Sequence, residues 1–105
     1  MIEIATLPQF EIIEGFTARF VHTENLTLGY FDVQAGAVSP MHAHFHEQVT
    51  QVLEGKFEFT IGNETHVYEK GQVAVIPPNV LHGGKALTHC KIFDIFYPIR
   101  EDYKR

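Results

Sequence analysis

The sequence predicts an all-β protein, and three observations support this fold class. Short alternating or apolar runs bounded by Gly, Pro and Asn recur along almost the whole chain. Apolar residues at helical spacing are hard to find. In "KFEFTIG", Phe57, Phe59 and Ile61 share one face of an extended chain while Glu58 and Thr60 share the other, which is typical of a half-buried strand. About eight such strands fit a sandwich or a closed barrel.

The expected strands follow one another along the chain with turn-forming residues between them. In order, they are "QFEIIEG", "FTARFVHT", "LTLGYFDVQ", "EQVTQVLEG", "KFEFTIG", "THVYEK", "QVAVIP" and "HCKIFDIFY". The apolar "FEII" of the first strand predicts an exposed edge through which two copies pair as a homodimer. Gly62 and Asn63 predict a hairpin between the fifth and sixth strands. Pro77 and Pro78 end the seventh, and the charged tail "REDYKR" is expected to be exposed at its end.

Length and composition limit what the protein can be. A chain of 105 residues with 45% apolar content has room for one core, so we expect a single domain over residues 1–105. A formal net charge of -5 with scattered Lys and Arg does not favour a nucleic-acid partner. The opening residues lack the cationic and apolar pattern of a leader and no run reaches membrane-spanning length, so we expect a soluble, cytoplasmic protein. The single cysteine, Cys90, fits a reducing compartment and a small buried side chain.

Donor side chains recur at alternate positions in "SPMHAHFHEQVTQVLEG". If this segment is one extended strand, His42, His44, His46 and Gln48 project from the same face. Crowded imidazoles repel once protonated and are costly to bury, unless a cation binds their lone pairs. We therefore predict a metal site, to which His82 in "IPPNVLHGG" could add a ligand. The other histidines, His22, His66 and His89, are expected to be surface or hydrogen-bonded residues.

Two motifs in this region resemble the signatures of the cupin superfamily. The first motif, at about residues 36–55, contains Gly36, His42, His44, Gln48 and Gly55 at the family's spacing. The second, at about residues 71–86, contains Gly71, Pro77 and His82 at the family's spacing. The resemblance implies a small single-domain jelly-roll β-barrel. It also implies one divalent metal ion in the mouth of the barrel, bound by His42, His44, Gln48 and His82.

The sequence departs from the family pattern at three positions. Asn79 and Ala86 replace a glycine and an asparagine of the second motif, and Gln48 replaces the commonest acidic ligand. A neutral amide ligand leaves the ion its full double charge, which strengthens it as a Lewis acid and favours an anionic ligand. We prefer Gln48 to the neighbouring Glu47, and we expect His46 to support the ligands or to line the pocket. Ni, Zn, Fe and Mn all fit these donors, so the identity of the metal stays open.

The last strand carries a carboxylate in an apolar setting. In "HCKIFDIFYPIREDY", alternation places Cys90, Ile92, Asp94 and Phe96 on one face. A carboxylate in that position needs a polar cavity, a cationic partner or a raised pKa. Asp94 is therefore either a proton-transfer group across the pocket from the metal or one half of a structural salt bridge with Arg19 or Arg100.

The same segment is similar to the last strand of a narrower cupin group. That group acts in pectin and alginate catabolism and converts cyclic 4,5-unsaturated monouronates to linear ketouronates. Asp94, Phe96 and Arg100 match the group in order and spacing, and Gln48 matches its amide ligand. The resemblance implies a non-redox, ring-opening enzyme for a small anionic sugar acid, in which Asp94 moves the proton, Arg100 binds the carboxylate and Phe96 forms an apolar wall.

Other functions remain open on the sequence alone. Arg100 could equally be a solvated charge of the tail. A cupin dioxygenase would use iron and oxygen, but its two-His-one-carboxylate site would need Glu47 as the carboxylate. A barrel that only binds a metal or a sugar is a further alternative, and a purely structural role explains neither the donors nor Asp94.

Overall fold

The computed structural model, which describes residues 1–104, contains ten β-strands in two antiparallel sheets. The strands are β1 (Phe10–Ile13), β2 (Phe16–His22), β3 (Thr27–Val33), β4 (Val38–His42), β5 (Glu47–Glu54), β6 (Phe57–Ile61), β7 (Glu64–Tyr68), β8 (Val73–Ile76), β9 (His82–Ala86) and β10 (Cys90–Tyr97). Two 3₁₀ turns, Ile4–Thr6 and Glu101–Tyr103, flank them. Within residues 1–104 there is no α-helix, so the predicted all-β class is confirmed.

The strands form a six-stranded sheet in the order β1-β2-β3-β10-β5-β8 and a four-stranded sheet in the order β4-β9-β6-β7. Strand β10 lies in the middle of the larger sheet, paired with β3 and β5 over its whole length. Strand β1 lies at an edge of that sheet, as "FEII" predicted. The two antiparallel sheets form the expected jelly-roll barrel.

The core lies between the two sheets. The larger sheet contributes Phe16, Val33, Val52, Ala74, Ile76, Cys90 and Ile92, and the smaller contributes Phe57, Phe59 and Ala86. Each strand supplies alternate residues, because a period of two sends every second side chain inward. Cys90 is fully buried, as predicted, and burial raises the pKa of its thiol.

Two strands were not predicted. Strand β4, "VSPMH", contains a proline and four exposed residues, and β9, "HGGKA", contains adjacent glycines. Proline and glycine are poor strand formers, so neither segment has a local strand pattern. Pairing between the two strands and with β6 stabilises them instead. This pairing places His42 directly opposite His82.

The charged tail is only partly exposed. Arg100 is buried and Tyr103 is half-buried, so the 3₁₀ turn folds back against the barrel. Near the end of the tail, Lys104 is exposed as predicted, and Arg105 lies outside the described residues. None of the helical segments in residues 1–104 has the length and apolar character needed to span a membrane.

Candidate metal centre and active-site pocket

Three histidines meet where the chain crosses from one sheet to the other. His42 ends β4, His82 begins β9, and His44 lies in the connection between β4 and β5. One ring nitrogen from each lies within 4.8 Å of the other two. The ring centroids of His42 and His82 are 4.3 Å apart, and those of His44 and His82 are 4.7 Å apart. A single ion could therefore contact all three rings.

Each of these rings is held in the same way. Nδ1 lies 2.7 Å from the Pro40 carbonyl oxygen in His42, 3.0 Å from that of His46 in His44, and 2.8 Å from that of Val80 in His82. A neutral imidazole has one N–H, and here the carbonyls bind it at Nδ1. The lone pair is then at Nε2, which is the arrangement found in histidines that bind metals.

The charge state of the rings also suits a metal ion. Burial lowers the pKa of His44, and burial lowers the pKa of His82 to about 4 despite the hydrogen bond to Val80. Both rings are therefore neutral near pH 7. Nε2 of His82 is buried and has no hydrogen-bond partner within residues 1–104. Since buried polar atoms normally have partners, this lone pair fits a bound cation.

Gln48 completes the donor set from the opposite sheet. Its strand, β5, pairs with β8 and β10, and its side chain is buried, whereas Glu47 is exposed on the other face. Gln48 Oε1 lies 3.0 Å from His44 Nε2. If His44 donates through Nδ1, two acceptors face each other across this distance, and a cation between them removes the conflict. The residues present therefore fit a divalent transition metal.

The expectation that His42, His44, His46 and Gln48 share one strand face is wrong. Strand β4 ends at His42 and β5 begins at Glu47, because the chain leaves the smaller sheet and enters the larger one between them. The His46 ring is buried, stacks on Phe45 at 4.0 Å and does not line the cavity. His46 supports the cluster through its backbone, which accepts the His44 hydrogen bond.

A cavity of about 80 Å³ lies between the sheets beside this cluster. Its lining includes all the sequence-predicted site residues except His44: His42, Gln48, His82, Asp94, Phe96 and Arg100. His44 lies outside this lining and packs against it, with its ring centroid 5.9 Å from that of Phe96 and 4.7 Å from that of His82. Three of the four predicted donors and all the predicted catalytic side chains therefore line one cavity, and the fourth donor, His44, packs against this lining.

Asp94 is a buried carboxyl that no cationic side chain of residues 1–104 contacts directly. Burial raises its pKa to about 7, against the opposing effects of a hydrogen bond from Thr50 and the charge of Arg100. The Thr50 hydroxyl donates to Asp94 Oδ1 at 2.7 Å. Neither predicted salt bridge forms, because Arg19 donates to the Ile4 and Ala5 carbonyls and Arg100 pairs with Asp102. The carboxyl can therefore exchange a proton near neutral pH.

Arg100 is a structured part of the pocket and not a solvated charge. Its side chain is 8% exposed, and its Nε and Nη2 donate to the two oxygens of Asp102 at 2.9 and 2.7 Å. The guanidinium carbon lies 4.7 Å from the Phe96 ring centroid and 3.9 Å from that of Tyr103. Two rings and a carboxylate thus fix the plane of the group, with Nη1 not engaged by Asp102.

Three residues that support the site were missed from the sequence: Thr50 and Tyr103, which line the cavity, and Asp102, which pairs with Arg100. Thr50 could have been found, since the alternation that turns Gln48 inward also turns Thr50 inward. Asp102 and Tyr103 lie in a charged tail with no strand or helix period, and nothing local indicates that the tail folds back.

Two antiparallel sheets that enclose a cavity beside a histidine cluster are the features of a cupin. The chain belongs to this family, since the sequence profile of the Cupin domain matches residues 29–96. It resembles the pectin-degradation cupins in particular. It is 26% identical to pectin degradation protein KdgF of Dickeya dadantii over 91% of this chain and 90% of that protein. A match with an uncharacterised Streptomyces coelicolor protein, 28% identical, spans 66% of each chain.

Solved structures give the same result. An RmlC-like cupin from Shewanella frigidimarina superposes with a TM-score of 0.90 at 29% identity, over 95% of this chain and 91% of that one. KdgF from a Halomonas species superposes with a TM-score of 0.88 at 28% identity, over 92% and 93% of the two chains.

Proposed function

We propose that the protein converts cyclic 4,5-unsaturated monouronates to linear ketouronates without a redox change. The observation that carries this proposal is the position of Asp94. This buried carboxyl, whose pKa is raised by burial, lines the same cavity as His42, His82 and Gln48. The similarity to two KdgF proteins, one of which is named for pectin degradation, supports the substrate class.

In this proposal His42, His44, Gln48 and His82 hold one divalent transition metal ion, either Ni, Zn, Fe or Mn. When bound, the ion would act as a Lewis acid, which polarises a substrate oxygen and stabilises the negative charge that develops on it. The amide of Gln48 adds no negative charge, so the set suits an anionic substrate better than one with a carboxylate ligand would.

Asp94 moves the proton that the reaction transfers. Ring opening removes the proton of the anomeric hydroxyl, breaks the bond from the anomeric carbon to the ring oxygen and releases that oxygen as an enol. Conversion of the enol to a ketone requires a proton at C4, so the reaction is a net isomerisation. A group that gains and loses a proton near pH 7 can serve both steps.

Arg100 and Phe96 bind the substrate. The guanidinium provides a fixed positive charge for the substrate carboxylate, through the nitrogen that Asp102 does not engage. Phe96, two residues beyond Asp94 on the same face of β10, gives the sugar ring an apolar wall. Binding of this kind positions the anomeric hydroxyl near Asp94.

The test is the decay of ultraviolet absorbance of an unsaturated monogalacturonate, whose conjugated double bond is lost on linearisation. We expect metal-loaded protein to accelerate the decay well above the spontaneous rate. Asp94→Asn should retain the metal and lose most turnover, whereas His42→Ala should lose both. Turnover by Asp94→Asn equal to wild type would remove the proton-transfer role.

The alternatives give different results in the same samples. Oxygen consumption with bound Fe would favour a dioxygenase, although Glu47 is exposed on the face away from the donors. Tight binding of the uronate without decay of its absorbance would favour a binding protein.

We also propose that the chain acts as one domain and forms a homodimer in the cytoplasm. Support for the dimer comes from β1 at the open edge of the larger sheet and from exposed apolar side chains on that sheet, including Val73 and Val75. The free Cys90 supports a reducing compartment. Analytical ultracentrifugation tests the dimer, and a monomer mass at micromolar concentration would contradict it.

A further inference from the structure

A continuous chain of polar contacts runs from the histidine cluster to the buried acid. Gln48 Oε1 faces His44 Nε2 at 3.0 Å, and Gln48 Nε2 donates to Thr50 Oγ1 at 3.0 Å. Thr50 Oγ1 in turn donates to Asp94 Oδ1 at 2.7 Å. Gln48, Thr50 and Asp94 are all buried, so water does not compete for these bonds.

With Asp94 Oδ1 as the acceptor, the chain has a direction because a hydroxyl has only one hydrogen. Thr50 uses this hydrogen for Asp94, so toward Gln48 it can act only as an acceptor. The Gln48 amide must then turn its N–H₂ group to Thr50. Its oxygen is left facing the three histidines, which is the only orientation in which Gln48 can contribute to a metal site.

The opposite orientation would close the site. With the amide turned over, its N–H₂ group would face His44 Nε2 and donate to that lone pair. The lone pairs of His44 and Gln48 would no longer converge, and the amide hydrogens would occupy the position between them. The orientation of the Gln48 amide therefore decides whether the cluster can bind a cation. In one orientation the lone pairs of His44 and Gln48 converge, and in the other the Gln48 amide donates a hydrogen bond to the lone pair of His44.

We propose that Thr50 is a positioning residue that fixes the Gln48 amide with Oε1 toward the histidines. The proposal rests on the metal site of the proposed function and does not depend on the reaction catalysed there. The same hydrogen bond, from Thr50 to Asp94, also explains why an amide, and not a carboxylate, suits position 48. A carboxylate there would compete with Asp94 for the single hydrogen of Thr50 and leave one of two buried acids without its bond.

The test is the affinity of wild type and variants for Co²⁺, measured by competition with a chromophoric chelator. Thr50→Val keeps the shape of the side chain and removes the hydroxyl, and Thr50→Ser keeps the hydroxyl. Thr65→Val, at an exposed position on β7, is the matched control. We expect Thr50→Val to bind Co²⁺ about 10- to 100-fold more weakly, while the other two variants stay within about twofold of wild type.

The visible absorption of bound Co²⁺ gives a second readout, since it depends on the number and type of ligands. We expect Thr50→Ser to retain the wild-type spectrum and Thr50→Val to change it. Thr50→Ala lacks the hydroxyl too and takes the place of the valine variant if that variant does not fold. Wild-type affinity and spectrum in a folded variant without the hydroxyl would overturn the proposal.

Failure of this inference can be told apart from failure of the proposed function. Wild type that binds Co²⁺ but does not act on the uronate would refute the reaction and leave the Thr50 comparison valid. Wild type that does not bind Co²⁺ would refute the metal site, and this proposal with it.

Discussion

The chemistry of the pocket depends on a carboxyl in an apolar strand. Asp94 lies between Ile92 and Phe96 on the inward face of β10, in a row that otherwise belongs to the core. Only neutral groups, the Thr50 hydroxyl and more weakly the Gln48 amide, donate to it within residues 1–104, and Arg100 acts from a distance. Burial therefore dominates, and the protonated form of Asp94 is favoured far above the usual pH range of an aspartate.

This shift makes stability depend on pH in a defined direction. The pKa of Asp94 is about 7 in the folded state and 3.8 as its ordinary value, so the folded protein binds the proton more tightly. The stabilising contribution is fully present below pH 3.8 and is lost as the pH rises through 7. In chelator-treated protein, Asp94→Asn should thus be more stable than wild type by about 4 kcal/mol at pH 8 and by only about 2 kcal/mol at pH 5, since each pH unit between the two pKa values is worth about 1.4 kcal/mol.

Urea unfolding of both proteins at the two pH values measures this difference. Glu54→Gln, a change at an exposed carboxyl near the end of β5, controls for a general effect of lost charge. A gain for Asp94→Asn that is the same at pH 5 and pH 8 would mean that the carboxyl is already ionised at the lower pH.

At the level of the elements, some segments of the site have a regular alternation of inward and outward side chains, and others have none. Strands β5 and β10 have strong alternation, and the inward positions of Gln48, Asp94 and Phe96 follow from it. The connection that contains His44 and the glycine-rich β9 have no such period. Their positions come from pairing with distant strands, so the sequence predicts them through a family motif and not through local pattern.

The turn before β9 shows how such a segment is fixed. Asn79 has a φ of 65°, and its backbone N–H donates to the His44 carbonyl at 2.8 Å. Only glycine adopts this left-handed region without strain, asparagine tolerates it, and β-branched residues do so poorly. The replacement of a motif glycine by Asn79 thus preserves the backbone that holds the connection in place.

We expect Asn79→Val to lower the free energy of unfolding by about 1 to 2 kcal/mol and Asn79→Gly to leave it close to wild type. Valine must enter the left-handed region, whereas glycine enters it freely. Thermal or urea unfolding of the pair measures the contrast. Equal stability of the two variants would show that the turn does not require a left-handed residue.

For the molecule as a whole, the donors belong to both sheets. His42 and His82 come from the smaller sheet and Gln48 from the larger one. A ligand that binds only the folded state stabilises it by mass action. The histidines that would hold a metal ion are thus expected to add to the stability of the entire barrel.

A divalent ion such as Ni²⁺ at about 100 times its dissociation constant should stabilise the fold by about 2.7 kcal/mol and raise the Tm by about 10 °C or more. The comparison is a thermal scan with and without the ion. His82→Ala should lose the increment, and His66→Ala, at an exposed position on β7, should retain it. An increment that survives in His82→Ala would indicate binding elsewhere on the chain.

The distribution of donors over two sheets should also affect how long a metal ion stays bound. An ion held by both sheets cannot leave by the turning of one side chain, since the remaining ligands keep it in place. Its release requires ligands on both sheets to dissociate, and we expect this to occur most readily during a local opening of the barrel near β4 and β5. The residence time of the ion should accordingly follow the slow hydrogen exchange of the amides in these strands, and it should not shorten when more chelator is added.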